Sequence, residues 1–437
     1  MFAYAVENLQ RLWFTGVKRI KIKLPKHVAF IVSKLYENGY EAFAVGGCVR
    51  DAVMGRTPHD WDITTSARPE QVKAIFKRTI DTGIKHGTVT VMLDHIGYEV
   101  TTYRIDGEYT DGRHPKEVLF TSNLVEDLKR RDFTINAMAY NDTVGIVDEF
   151  GGIEDLKAGI IRCVGVAEDR FTEDALRILR AIRFGAQLGF GIEENTFNAI
   201  KKLAGNLSLI SKERIQAEIT KLIMSESPEK IANIYIGGLA PYVFKNTKLE
   251  KSAEGELFGK VSDIMRALSA DSYLRYAGLL TYEDMPEAVL RDLKLDNKTI
   301  KTVSRLVKYK DYSIEITENG VRHAVVEIGQ DVFLEYYLPY REALISTGNE
   351  KTLAKGDVEK IQSIYETILS KKQCLSVSEL AIRGADLKDI GICDGKMIGI
   401  ILKALFEKVL NEPEINEKLT LLDMAKTMEK EFTSDIH

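Results

Sequence analysis

The chain has few cysteines, and their spacing is not paired. Cys48, Cys163, Cys374 and Cys393 lie far apart among 437 residues, which argues against a disulfide framework and against a zinc site. No stretch reaches the roughly 18 uninterrupted apolar residues of a membrane-spanning helix. The N-terminus mixes charge among its apolar residues too early to form the core of a signal peptide. These absences predict a cytoplasmic protein with no membrane partner.

The chain also lacks an excess of positive charge. Its 60 Lys and Arg residues are outnumbered by 65 Asp and Glu, giving a formal net charge of −5. This balance argues mildly against nucleic acid as a partner, but a local positive surface is enough to contact phosphates. Only His323 and His437 follow His114, so no His-Asp metal-phosphohydrolase motif is present there. Nothing in the sequence indicates a protein partner.

A glycine pair followed by an aspartate pair is the most informative stretch of the sequence. Gly46 and Gly47 follow an apolar run and precede Arg50. Glycine permits close backbone approach to an anion, and successive N–H groups in a turn form an anion-binding nest. Asp60 and Asp62 follow in a β-like segment, where side chains two residues apart project to the same face.

Paired carboxylates bind Mg²⁺ well once substrate phosphates complete the coordination shell. The aspartate pair therefore indicates phosphoryl or nucleotidyl transfer. The same Asp-x-Asp pattern also occurs in solvated turns and calcium loops, so the glycine pair and Arg50 upstream are what favour the catalytic interpretation.

Two β-rich runs, 88–93 and 98–104, predict a hairpin. If its second strand lies beside the aspartate pair, Glu99 becomes a third acid that can bind a second metal or accept a proton from an attacking hydroxyl. A solvent-facing strand glutamate explains the spacing equally well. The polar, glycine-rich segment 106–115 that follows is interpreted as a mobile loop close to the site.

Two basic segments come next. Three consecutive cations at 129–131 fit an ordinary solvated charge run, but beside a triphosphate site they would contact phosphate or ribose. The spacing of apolar residues predicts one helix over 168–190, with Asp174 and Arg177 on a second face and Arg180 and Arg183 extending it. Ion pairing of Glu173 or Asp174 with Arg177 is the common explanation. A fixed carboxylate and guanidinium can also present an acceptor and donors to the edge of a base.

These segments resemble the motifs of the class II tRNA nucleotidyltransferases, a family that shares a polymerase-β-like head with bacterial poly(A) polymerases. The resemblance covers residues 40–225 in the family's order and spacing. It is carried by Gly46-Gly47-x-Val49-Arg50-Asp51, Asp60-x-Asp62, the run from Arg130 to Ala137, and Arg170-Phe171-x-Glu173-Asp174-x-Leu176-Arg177-x-Leu179-Arg180.

The resemblance implies a template-independent enzyme that adds CCA to the 3′ end of tRNA from CTP and ATP and releases pyrophosphate. Asp60 and Asp62 match the Mg²⁺-binding aspartates, with Glu99 assisting. Asp174 and Arg177 match a protein template that hydrogen-bonds the incoming base, and Glu213 and Arg214 match a motif that buttresses the neck helices. The nucleotide-binding positions implied are Gly46, Gly47, Arg50, Arg131, Asp132, Asp174, Arg177, Arg180 and Arg183.

The expected fold class is α+β, with a polymerase-β-like nucleotidyltransferase head of mixed sheet and helices followed by an all-α neck, body and tail. The resemblance also implies tRNA as partner, held at its acceptor arm and elbow. The expected divisions are an N-terminal extension at 1–26, the head at 27–165, the neck at 166–235, the body at 236–350 and a tRNA-binding tail at 351–437.

Alternative products remain open within the same family. A CC-only or A-only tRNA nucleotidyltransferase and a bacterial poly(A) polymerase use the same head. The segment 82–88 (TGIKHGT) looks like the tRNA enzymes, and the segment 106–115, which is shortened in CC-only enzymes, is intact here. These features favour full CCA addition, and a non-catalytic RNA-binding protein is the alternative from a different class.

Overall fold

The computed structural model describes residues 20–107, 118–245, 247–248 and 256–434. The chain forms two compact units, Met1–Glu254 with Asp292–Lys294, and Gly255–Arg291 with Leu295–His437. Within the described ranges, every helix is too short or too polar to cross a bilayer. The segment 108–117, which contains most of the expected mobile loop, and residues 1–19 of the expected extension lie outside the described residues.

The first unit is built on a seven-stranded mixed sheet in the order β3-β4-β5-β2-β1-β8-β9. The β2 and β5 strands are parallel, and the other neighbours are antiparallel. This sheet and the helices beside it confirm the expected class of the head. The strands of the chain are β1 Ala42–Val45, β2 Ile63–Thr65, β3 Thr79–Gly83, β4 Thr88–Leu93, β5 Ile96–Thr102, β6 Arg104–Asp106, β7 Val118–Phe120, β8 Ala139–Asn141, β9 Gly145–Val147, β10 Ile160–Ile161 and β11 Gly191–Ile192.

The predicted hairpin is present as β4 and β5, paired from Thr88↔Thr101 to Leu93↔Ile96. Its turn is Asp94-His95, both with positive φ (47° and 65°), which matches the twist of the flanking strands. The second strand therefore begins two residues earlier than the sequence pattern suggested. This hairpin carries Glu99 next to β2, because β5 pairs with β2 in parallel.

Helices of the first unit lie beside the sheet, and further helices follow the last strand of this sheet along the chain. In α1 the buried residues Val28, Ile31, Val32 and Leu35 recur at helical spacing, as expected for an amphipathic helix. The helices are α1 Lys26–Glu37, α2 Gly47–Val53, α3 Pro69–Ile75, α4 Leu124–Lys129, α5 Gly152–Ala158, α6 Ala167–Glu173, α7 Leu176–Leu188, α8 Glu194–Leu203, α9 Lys212–Ile223, α10 Ala232–Ile236 and α11 Ala240–Val243.

The single helix expected over 168–190 is wrong, because the chain breaks at Asp174. This residue has an extended backbone (φ −139°, ψ 104°) between α6 and α7, and its Oδ1 accepts a hydrogen bond from the Leu176 amide at 3.0 Å. An aspartate side chain that accepts from the amide two residues further on forms a local turn, which competes with helix continuation. The predicted apolar face survives in α7, where Leu179, Ile182 and Ala186 are buried.

The second unit is all helical in its described residues, which agrees with the expected helical half. Its largest fully buried side chain is Arg341, whose guanidinium pairs with Glu350 at 2.6 Å. The division into neck, body and tail stays a prediction. The helices are α12 Glu256–Ala267, α13 Ser272–Leu279, α14 Pro286–Asp292, α15 Asn297–Lys308, α16 Glu318–Ile328, α17 Gln330–Val332, α18 Leu338–Ser346, α19 Asp357–Ser370, α20 Gly384–Asp389, α21 Gly395–Asn411 and α22 Lys418–Ser434.

Candidate active site

The glycine pair forms the turn from β1 into α2. Gly46 has φ +83°, and a Cβ at this position would lie 2.9 Å from Nη1 of Arg131. The positive φ requires glycine here, because an L side chain would be strained, and a Cβ would also force the end of the Arg131 side chain to move. Gly47 begins α2, where the first amides of a helix have no partner within it. The turn thus presents backbone donors beside an arginine, as an anion site needs.

Arg50 is buried and held on two sides. Its Nε donates to Asp51 Oδ1 at 2.9 Å, and its Nη1 donates to Asn136 Oδ1 at 2.7 Å. A Cβ at Gly47 would lie 3.6 Å from Nη2 of Arg50. The predicted phosphate-turn arginine is therefore fixed next to the glycine pair.

Asp60 and Asp62 lie immediately before β2 rather than within it. The carbonyl of Asp62 accepts a hydrogen bond from the Val45 amide at 3.0 Å, which anchors this segment beside β1. Both residues are exposed, and within the described part of the chain neither carboxylate has a hydrogen-bonding or ion-pairing partner. Open, adjacent carboxylates of this kind are available to an incoming cation.

The pKa of Asp62 is raised above its ordinary value. Nearby protein atoms desolvate the carboxyl even though the residue keeps solvent access, and the negative charge of Asp60 adds to the effect. The positive charge of Arg131 acts in the opposite direction. Two carboxylates that repel each other and have no protein cation bound to them fit a divalent metal completed by phosphate oxygens.

Glu99 is exposed on β5. The parallel register of β2 with β5 begins at the pair of Ile63 and Val100, so Asp62 and Glu99 each lie one residue before this pair. However, no three His, Cys, Asp or Glu side chains in the described ranges form a group that could hold a metal. The structure therefore brings Glu99 to the neighbouring strand but does not join it to the aspartate pair as a third ligand.

Asp127 is a buried residue beside the candidate site that was not predicted from the sequence. Its carboxylate is fully buried and accepts hydrogen bonds from the Thr64 hydroxyl at 3.1 Å and from Arg130 at 2.8 Å, and it lies 3.6 Å from Arg131. Despite burial, the cations Arg130 and Arg131 hold its pKa below the ordinary value. Its position three and four residues before two arginines on a helical pattern was the available signal.

Asp132 is buried, and both of its oxygens are engaged. Oδ1 accepts hydrogen bonds from the Phe133 amide at 2.9 Å and from Asn136 Nδ2 at 3.2 Å, and Oδ2 accepts from Arg180 Nε at 2.8 Å. Burial alone would raise the pKa of this carboxyl, but the charges of Arg180 and Arg177 and these hydrogen bonds lower it to about 2. The carboxylate of Asp132 thus holds the guanidinium of Arg180 in place.

Asn136 was not predicted as a site residue. Its amide group donates to Asp132 and its oxygen accepts from Arg50. It therefore connects the glycine turn to the basic segment and, through Asp132, to Arg180 on α7. No spacing rule in the sequence reveals such a link.

Asp174 and Arg177 lie at the junction of α6 and α7. Asp174 Oδ2 accepts a hydrogen bond from Arg214 at 3.2 Å, while Arg177 pairs with Glu173 at 2.6 Å and donates to the Arg130 carbonyl at 3.0 Å. The ordinary explanation, ion pairing of Glu173 with Arg177, is thus present. Both predicted base-reading side chains are held in place by neighbours.

Arg183 forms a buried ion pair with Glu218 on α9, with Nε and Oε2 2.7 Å apart. Burial and the nearby cations Arg180 and Arg50 lower its pKa to about 10, although Glu218 opposes the shift. Glu218 was not predicted, since it lies on a different helix from its partner.

The Asp132→Asn variant should lose an acid-dependent contribution to stability. Because the folded-state pKa of Asp132 is depressed, its stabilisation is complete above the unfolded-state value near 4 and is lost as the pH falls toward about 2. The difference is roughly 2 kcal/mol. Denaturant unfolding midpoints of wild type and variant, measured from pH 6 to acid, should converge as the pH falls.

A matched control for this measurement is Asp81→Asn. Asp81 is exposed and pairs only with Lys73 at 2.9 Å among the described contacts, and exposed pairs contribute little. This variant should follow the wild-type profile at every pH. A gap between wild type and Asp132→Asn that stays constant in acid would contradict the assignment.

Three known families match successive parts of the chain. The family described as "Poly A polymerase head domain" matches residues 42–162, the "Probable RNA and SrmB- binding site of polymerase A" matches 189–249, and domain 2 of tRNA nucleotidyltransferases matches 276–425. The first match contains the glycine turn, the aspartate pair and Asp132.

Individual relatives extend over nearly the whole chain. The CCA-adding enzyme of Leuconostoc mesenteroides is 36% identical over 410 residues, covering 93% of this chain and 96% of its own. That of Lactiplantibacillus plantarum is 38% identical, covering 91% and 94%. The crystal structure of the Bacillus stearothermophilus CCA-adding enzyme in complex with CTP superimposes with a TM-score of 0.77 at 34% identity, covering 94% of this chain and all of that one.

Proposed function

The chain belongs to the family of class II CCA-adding enzymes, and we propose that it adds C, C and A to the 3′ end of tRNA from CTP and ATP, without a nucleic-acid template. The observation that carries this proposal is the match to such enzymes along nearly the full length of both partners. A match to the head alone would leave the product undefined. A cytoplasmic location stays a prediction.

In the proposed reaction the 3′-hydroxyl of tRNA attacks the α-phosphate of the nucleotide, and pyrophosphate leaves. Asp60 and Asp62 would hold Mg²⁺, because they are open, adjacent carboxylates beside a glycine turn. Bound Mg²⁺ neutralises phosphate charge and helps to deprotonate an attacking hydroxyl. Glu99, on the strand that pairs with β2, would assist by accepting a proton.

The nucleotide would be held by donors from three segments. The turn offers the amide of Gly47, since the amide of Gly46 already donates to the Met138 carbonyl at 3.1 Å. Arg131 lies against Gly46, and Arg50 lies against Gly47. Arg180 and Arg183 on α7 would contact the triphosphate. Asp132 contributes by orienting Arg180, since both of its oxygens already accept hydrogen bonds.

Base selection is assigned to Asp174 and Arg177. A carboxylate and a planar guanidinium supply acceptors and paired donors for the edge of a base. Arg214 holds Asp174, and Glu173 holds Arg177, so the two groups are already ordered before a base arrives. Such preorganisation favours discrimination because little freedom is lost on binding.

The product itself can be read directly. We expect tRNAs that end before the first C, after the first C and after both to be completed to CCA when CTP and ATP are supplied, as measured by sequencing the 3′ ends. Products ending in CC would indicate a CC-only enzyme, and addition only to the third substrate would indicate an A-only enzyme. A long adenosine tail would indicate a poly(A) polymerase.

The Asp62→Asn variant should lose nucleotidyl transfer by at least about 100-fold, because metal binding contributes several kcal/mol to the stabilisation of the transition state. Incorporation of labelled CTP into truncated tRNA measures the loss. The control is Asp81→Asn, which removes an exposed carboxylate of the same unit. Equal activity of the two variants would rule out the metal-ligand role and favour a different catalytic centre.

Replacing Asp174 and Arg177 together with alanine should relax nucleotide choice. Each good bidentate base contact supplies about 1 to 3 kcal/mol of discrimination, so UTP and GTP incorporation should rise by about 10-fold or more relative to CTP and ATP. Binding of tRNA should change little. The matched control is the double variant Glu154→Ala with Lys157→Ala, which removes an ion pair of 2.8 Å on a helix. If the Asp174 and Arg177 variant discriminates between nucleotides as well as this control does, the template assignment is wrong.

A further inference from the structure

Three arginines converge on one aromatic ring. The guanidinium carbons of Arg50, Arg180 and Arg183 lie 5.1, 5.3 and 4.0 Å from the centroid of the Phe184 ring. All three distances fall within the range of cation–π attraction. The ring therefore lies at the centre of a cationic cluster drawn from two separate segments, the glycine turn and α7.

Each arginine also has a carboxylate of its own. Arg50 pairs with Asp51 at 2.8 Å, Arg180 with Asp132 at 2.6 Å, and Arg183 with Glu218 at 2.7 Å. These contacts fix each guanidinium from outside the cluster. Arg50 and Arg180 are also linked to each other through Asn136 and Asp132. The ion pair of Arg183 with Glu218 does not belong to that link, so the ring of Phe184 is the group that Arg183 shares with the other two.

The three guanidinium groups repel one another because they carry like charges. Burial is the main cause of the lowered pKa of Arg183, and the charges of Arg180 and Arg50 lower it further. A ring with a negative face is one of the few neutral groups that several guanidinium groups can share. Phe184 is only 7% exposed and makes an edge-to-face contact with Phe133, with ring centroids 5.8 Å apart. Its orientation is thus set by the core.

We infer that Phe184 is a positioning residue for the polyphosphate of the incoming nucleotide: its ring sets the mutual spacing of Arg50, Arg180 and Arg183 so that they can bind the polyphosphate together. This inference rests on the proposed function, which assigns these arginines to the nucleotide. The chemistry recognised is the polyphosphate shared by CTP and ATP. Phe184 therefore acts equally on both nucleotides, unlike Asp174 and Arg177.

The test compares Phe184→Leu with Phe190→Leu. Both phenylalanines are 7% exposed, and no arginine stacks on Phe190 among the described ring contacts, so the control matches the loss of burial without touching the cluster. Phe184→Tyr keeps the aromatic face. Phe184→Met, which fills the space without a ring, serves as a second test should the leucine variant unfold.

Inorganic tripolyphosphate is the probe, since it carries neither base nor ribose. We expect Phe184→Leu to raise the inhibition constant of tripolyphosphate and the KM values of CTP and ATP by a common factor of roughly 10. The KM for tRNA and the discrimination against UTP should not change. Phe190→Leu should match the wild type, and Phe184→Tyr should recover most of the loss.

Equal effects of Phe184→Leu and Phe190→Leu would overturn the inference and reduce Phe184 to a core residue. Unaltered tripolyphosphate inhibition in both Phe184→Leu and Phe184→Met would do the same. If the wild-type enzyme completes CCA and these variants bind tripolyphosphate normally, only this inference is wrong. If the wild-type enzyme adds no nucleotide to tRNA, the proposed function is wrong, and the inference with it.

Discussion

One hydrogen-bonded chain of side chains ties the candidate site together. Arg180 on α7 donates to Asp132, Asn136 donates to the other oxygen of Asp132, and Arg50 donates to Asn136. The sequence separates these residues by up to 130 positions, yet the network makes the glycine turn, the basic segment and α7 one structural unit. Two of the cations proposed to bind the nucleotide, Arg50 and Arg180, belong to this network.

The network contains buried charged groups, whose loss of hydration costs free energy. The hydrogen bonds that offset this cost also hold the side chains rigidly. A buried carboxylate loses its hydration, and the loss is recovered only if several donors converge on it. Asp132 accepts from the Phe133 amide, Asn136 and Arg180, and Asp127 accepts from Thr64 and Arg130. Removal of one partner would leave a buried charge without compensation. The same requirement fixes the cations in position before any phosphate arrives, which is how preorganised electrostatics accelerate a charge-separating reaction.

Local patterns were sufficient to predict much of the fold. The two β-rich runs predicted the hairpin of β4 and β5, and the glycine pair predicted the turn at Gly46 and Gly47. In each case the cause acts within a few residues, so one stretch of sequence contains it. The break at Asp174 was not predicted because helical periodicity continues through it, whereas the extended backbone of Asp174 and its local bond from the Leu176 amide separate the two helices.

The remaining site residues depend on contacts between distant segments. Asn136 connects two motifs only because β1 and β8 are neighbours, and Glu218 meets Arg183 only because α9 packs along α7. Nothing in their local sequence distinguishes them from ordinary polar residues. The resemblance to a family identified the candidate binding residues. The residues that orient them are apparent only from contacts in the folded structure.

The proposed site uses one set of residues for the phosphates and another set for the base. In the proposed function, the aspartate pair and the arginines would bind the phosphates, which CTP and ATP share, whereas Asp174 and Arg177 would bind the base, in which they differ. Arg177 lies on α7 one helical turn before Arg180. A base seated against the junction of α6 and α7 would therefore place its triphosphate beside the cluster around Phe184. The proposed base-reading arginine and two of the proposed phosphate-binding arginines therefore lie on the same helix, so binding of the base and binding of the triphosphate would be coupled through α7.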